Sequence, residues 1–209
     1  MTRLEEIATN CAPIALRDPL AETLGFKEQG RIQISLDDVG RYAGHLCPTV
    51  ATAFELAREG LARLYPDQLP VRGDISVKVH SEPDVFANGP MGRVIGFVTG
   101  AAGQDGFRGL AGKFVRAGLL RYDAQALPFG AITFWRADTR ASVCLRPRTG
   151  MLPDQPAISQ YLKPALAGEA AALQVFQAAW AERVAAVLEL GARMFEVLPA
   201  PKPAPLTNA

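Results

Sequence analysis

Residues 31–36 set Ile32, Ile34 and Leu36 against Arg31, Gln33 and Ser35, the two-residue alternation of a short strand. Residues 36–42 fit one helical turn. Beyond them the period changes. Val50, Phe54, Leu56, Ala57, Leu61 and Leu64 recur at helical spacing, and Pro48 suits the first helical position, where a missing N–H costs nothing. Alternation returns in Ile75, Val77 and Val79 against Ser76, Lys78 and His80, a second strand with His80 on the face away from the valines. Residues 91–99 read as a helix with a glycine-lightened face, leading into a tight loop over 100–109 held close to another backbone. Three strand-like runs follow at 110–120, 131–136 and 141–145, the last two forming a hairpin. From 157 to 198 the pattern is helical, with Leu162, Leu166, Leu173, Phe176, Trp180, Val184 and Val187 on an amphipathic stripe punctuated by Gly168 and Gly191.

These elements predict an α+β fold: a mixed or antiparallel sheet packed with helices, followed by a C-terminal helical extension. The chain divides into an N-terminal segment (1–35), an α+β core (36–150), the helical extension (157–198) and a tail (199–209). Pro13, Pro19 and Gly30 argue against one long helix in the first segment. The tail is too rich in proline for a helix and is expected to be extended or disordered.

Composition narrows the function classes. Hydrophobic residues make up 49% of the 209 and charged ones 21%, enough apolar side chain for a core. Net charge is +1, without the basic excess of a nucleic-acid surface. No run approaches the ~18 apolar residues of a membrane span, and the opening Met-Thr-Arg-Leu-Glu-Glu lacks the apolar stretch of a secretion signal. Three cysteines, Cys11, Cys47 and Cys144, have no framework spacing. The expectation is a cytoplasmic protein that meets neither membrane nor nucleic acid.

The strongest chemical signal is His45-x-Cys47 just before the long helix. Cys47 falls at or next to the N-cap, with the positive end of the helix dipole over its sulfur, which favours the thiolate that binds metals or attacks electrophiles. Imidazole and thiolate together suit zinc or another divalent transition metal. His80 is the natural third ligand. Cys11 and Cys144 compete for a fourth place, and Glu82, Asp84 and Asp105 are loop oxygen donors without spacing to choose among them. The glycine-rich stretch before Lys113 fails the phosphate-loop pattern, since Phe107 stands at its first glycine and Phe114 at its Ser or Thr. Close packing is the better reading of those glycines.

The string Gly44-His45-Leu46-Cys47-Pro48 with its helix resembles the opening of the FmdE-like family, proteins named for formylmethanofuran dehydrogenase. The resemblance extends through 75–79, the segment Arg93-Val-Ile-Gly-Phe-Val-Thr-Gly100 and the runs at 132–134 and 141–147, covering about residues 36–148. It implies an α+β protein, often a homodimer, with a metal commonly taken as zinc near the cysteine; His45 and Cys47 match the family's ligands by position. The chain departs from the pattern at Ala43, Thr49 and Ala101, where the family has histidine, glycine and cysteine, and it lacks the family's cysteine-paired zinc ribbon. The expectation is therefore a zinc or other transition-metal protein with His45, Cys47 and His80 as ligands and an open position for a small molecule. One alternative is a metal-independent enzyme with Cys47 as nucleophile and a histidine base. Another is a structural or sensory module acting through its C-terminal helices.

Overall fold

The computed structural model describes residues 1–123, 127–128 and 130–201. Thr2 and Glu5 form a capping box at the start of helix α1 (Arg3–Asn10). Strand β1 (Ile14–Arg17) follows, then a one-turn helix α2 (Pro19–Thr23) capped by Asp18. Strand β2 (Arg31–Ile34) pairs antiparallel with β1, Ile14 against Ile34. A second capping box, Ser35 with Asp38, opens α3 (Leu36–Ala43), and Gly44 ends it in the left-handed conformation that glycine adopts without strain.

Helix α4 (Pro48–Leu64) is the centre of the molecule. Eleven of its seventeen residues are buried, Phe54, Leu56 and Leu61 among them, so it is covered on nearly every side rather than along one stripe. Strand β3 (Ile75–Val79), helix α5 (Asn88–Thr99) and strands β4 (Leu120–Tyr122), β5 (Ile132–Arg136) and β6 (Ser142–Pro147) follow. Helices α6 (Pro156–Leu166) and α7 (Ala170–Leu190) form an antiparallel hairpin, and β7 (Phe195–Leu198) ends the sheet. The strand order is β4-β3-β5-β6-β7, with β3–β4 parallel and the other pairs antiparallel. α4 lies between this sheet and helices α3, α5 and α7. The fold is α+β, with a mixed sheet and a C-terminal helical hairpin.

Two stretches differ from the sequence reading. The run 110–120 is not a strand; only a bridge between Leu110 and Lys113 forms before β4 begins. Gly109, Gly112 and Gly118 take left-handed φ angles, as do Ala111 and Phe114, and this turns the chain back on itself. The helical run 157–198 stops at Leu190, and its last four residues become β7, which pairs with β6 through Cys144↔Leu198 and Pro147↔Phe195. Trp135 Nε1 donates to Pro201 O at 3.2 Å, and the tail beyond Pro201 lies outside the described residues.

Candidate functional site

His45 and Cys47 sit where the sequence placed them, in the turn between α3 and α4. Cys47 is the α4 N-cap: its Sγ accepts the Val50 N–H at 3.4 Å, and the residue is 9% exposed. His45 is exposed, with Nδ1 3.1 Å from Ala43 O. α7 fastens this turn, since Trp180 Nε1 donates to Leu46 O at 3.1 Å.

His80 is elsewhere. It follows β3, is only 4% exposed, and its Nε2 lies 2.7 Å from Thr133 Oγ1. On β5 the neighbouring Phe134 presses its ring against Gly60 of α4, and Arg136 Nη1 donates to Leu64 O at the end of that helix. Thr133 alternates with these two and therefore points to the other side of the sheet. His80 joins it there with Cys144, which pairs in register with Thr133. Burial pushes the Cys144 thiol up, against a hydrogen bond with Thr133. His80 thus lies on the face of the sheet turned away from α4, the helix that Cys47 caps. Among the described residues no three His, Cys, Asp or Glu side chains gather as a group able to hold a metal ion. The trio His45, Cys47 and His80 does not fit that role. Nor do the oxygen donors supply it: Glu82 and Asp84 are exposed on the loop after β3.

A different constellation is assembled around Asp18. Its carboxylate caps α2 through the Leu20 and Ala21 N–H groups at 3.0 and 3.3 Å. It also receives Arg72 Nη1 at 2.9 Å and Arg116 Nη2 at 2.8 Å. Burial works to raise the Asp18 carboxyl, but the Arg72 hydrogen bond, the Arg116 charge and the Ala21 N–H outweigh it, and the group is held below the ordinary range. Arg72 spends its other donors on Val98 O and Phe97 O at 3.2 and 2.8 Å, two of the carbonyls left open where α5 ends. Arg116 is buried, and its Nη1 has no hydrogen-bond partner among the described residues. That nitrogen lies against Gly73 and Gly100, both at positive φ, and a Cβ at either would run into it. Burial pulls the Arg116 guanidinium down from its ordinary value, with Asp18 opposing.

Above this network opens a cleft of about 690 Å³. Tyr42 of α3, Arg93 and Phe97 of α5, the turn 100–103, Phe107 and Tyr122 of β4 line it, with Arg72 and Arg116. Asp105 is the carboxylate among the lining side chains. The Tyr42 and Phe97 rings stack with centroids 4.6 Å apart and planes 13° off parallel. Glycines give the cleft its shape: a Cβ at Gly92 would strike the Tyr122 hydroxyl, and one at Gly96 would lie 2.5 Å from Ala101 O. The sequence reading of close packing here thus agrees with the structure, but it did not find the arginines. Arg72, Arg93 and Arg116 stand far apart in a chain of balanced charge, and only the fold brings them together. Comparison with models of protein families, with curated proteins and with solved structures gives no match to this chain.

Proposed function

We propose that the protein binds a small organic anion in the arginine-lined cleft between α3, α5 and the 100–107 turn. The observation that carries this reading is Arg93, exposed on the cleft wall with no ion-pair partner among the described residues; Arg116 adds positive charge behind that wall, its Nη1 closed in by Gly73 and Gly100. Asp18 serves two guanidinium groups at once, and Asp74 adds its charge near Arg116. A carboxylate or phosphate would give Arg93 a counter-charge, with two oxygens matched to the fork of its N–H donors. The cleft's volume is in the range of small-molecule sites, and its mixture of aromatic walls and a few polar groups is typical of them.

Titration calorimetry with citrate, inorganic phosphate and benzoate at low salt tests the reading. At least one of the three is expected to bind, with affinity falling as salt is added. Arg93→Ala, which touches no structural ion pair, is expected to weaken it about tenfold or more, the loss of one charged hydrogen bond. Absence of binding by all three removes the proposal.

The transition-metal expectation lacks comparable support, because among the described residues no three His, Cys, Asp or Glu side chains gather to hold an ion. The Cys47-nucleophile alternative has His45, two residues away, or His80 as its base, but His45 is exposed with Nδ1 on Ala43 O and His80 is hydrogen-bonded to Thr133 on the face of β5 turned away from α4. A second reading does have an observation behind it. α6 has no buried residue, and Leu162, Leu166, Leu173 and Val175 are exposed along the α6–α7 hairpin. We propose that this hairpin joins two copies of the chain, an association that sedimentation of the full chain detects directly.

A further inference from the structure

We infer that the anion taken by this cleft is a planar ring carrying a carboxylate or phosphate, with the ring on the open face of Tyr42 and the charged group at Arg93. This deepens the anion-binding reading and rests on it. Tyr42 stands in the last turn of α3 with one ring face stacked on Phe97, yet it remains 51% exposed. A tyrosine held flat by a partner on one side, with its other side open to a cleft, is a preformed stacking platform. Its orientation is already fixed, so little side-chain freedom is lost when a ring settles on it.

The spacing of ring and charge comes from α5. Arg93 and Phe97 are four residues apart on one helix, so they are neighbours on the same face, with Cβ atoms roughly 5–6 Å apart. The guanidinium therefore reaches out one turn from the Tyr42–Phe97 stack, about the separation between an aryl ring and the charged group it carries. Tyr122 and Phe107 add aromatic wall, so two of the chain's four tyrosines face this one cleft. Asp105 is also among the lining groups, and its carboxylate disfavours a ligand with negative charge spread along its length. A ring with its charge at one end satisfies all of these neighbours.

Four probes decide the matter by calorimetry on the full chain: benzoate, cyclohexanecarboxylate, phenyl phosphate and inorganic phosphate. Benzoate and cyclohexanecarboxylate match in charge and closely in size, and differ in planarity. Benzoate is expected to bind about three- to tenfold tighter, the scale of one aromatic stacking contact. Phenyl phosphate is expected to exceed inorganic phosphate likewise, and benzoate against phenyl phosphate tells which anionic group the site takes. Tyr42→Leu should abolish the preference for planar rings, while Tyr42→Phe should retain it. If cyclohexanecarboxylate binds as well as benzoate in the unmodified protein, the ring inference is overturned and the anion reading stands. If none of the four binds, the ring inference falls, and the anion reading falls with it when citrate also fails to bind. The ranking in the unmodified protein decides even if a Tyr42 variant fails to fold.

Discussion

Asp18 takes donors from four places: two backbone N–H groups of its own helix, one nitrogen of Arg72 and one of Arg116. Removing its charge leaves two guanidinium groups in the interior without their shared counter-ion. Breaking a buried pair in this way costs about 3–5 kcal/mol, and loss of the cap adds to it, so Asp18→Ala is expected to fall in or above that range by urea unfolding. The pH dependence has a definite sign. The Asp18 carboxyl is held below its ordinary value in the folded chain, so its stabilisation is complete above the unfolded value of ~3.9 and is lost as pH falls through the folded one. Glu55 and Asp74 act oppositely. Burial holds both carboxyls above the ordinary range, against Arg58 for Glu55 and Arg116 for Asp74. Their contribution to stability therefore declines as pH rises from the unfolded value through the raised one. The stability difference between the natural protein and Asp18→Asn cancels the Glu55 contribution but not that of Asp74, whose carboxyl Asp18 itself helps to raise. Below about pH 4 the difference is expected to shrink as Asp18 is protonated; a difference that grows there would mean that Asp18 is not the ion-pair anchor.

At the level of elements, what could be read from the sequence is what depends on neighbours in sequence. α4 starts at Pro48 with Cys47 as its cap because proline and the onset of the apolar period fall together there. β3, β5 and β6 announce themselves by alternation, and the β5–β6 hairpin follows from their spacing. β7 was hidden because Phe195-Glu196-Val197-Leu198 continues a helical stripe; the open edge of β6, about fifty residues earlier, makes it a strand. β1 has only four residues, and its alternation means little until β2 pairs with it. Glycines inside helices show the same split between local and distant causes. In α3, a Cβ at Gly40 would meet nothing nearer than the Leu46 Cβ at 3.8 Å, so Gly40→Ala is expected to stabilise by about 0.5–1 kcal/mol. In α4, a Cβ at Gly60 would lie 2.8 Å from Cε2 of Phe134, a fully buried ring. There the propensity gain of about 1 kcal/mol meets an overpacking cost of about 1–3 kcal/mol, and Gly60→Ala is expected to lower the melting temperature. A rise at both positions would mean that α4 can draw away from the sheet at little cost.

Across the whole molecule, the candidate site was the least legible part because it is made entirely of long-range encounters. The His45-x-Cys47 string is local and visible, but the third ligand expected for it, His80, is taken up by Thr133, and strand alternation alone gave His80 a face without saying what that face meets. The arginine cleft joins residues from α3, α5, the turn after it and β4, and a net charge of +1 conceals it. The C-terminal hairpin poses the converse case, a feature whose pattern was legible but whose cover was not. α7 anchors on the core through Val184 and Val187, whereas α6 and the start of α7 leave Leu166 79% exposed. Residues 156–178 hold only Lys163 and Glu169 as charged side chains, so no like-charge repulsion opposes the approach of a second copy. Apolar area of this kind, rimmed by glutamine and serine, is what the proposed association of two copies would cover. Sedimentation or light scattering is therefore expected to find a dimer at micromolar concentrations. Leu166→Glu combined with Leu173→Glu should give a monomer with unchanged helical circular dichroism, because neither side chain supports the core. Arg93→Ala should leave the dimer intact, and the leucine pair should leave anion binding intact, since Leu166 and Leu173 do not line the cleft. A natural protein that stays monomeric throughout this range would leave those leucines as solvent-facing residues of an uncovered helix.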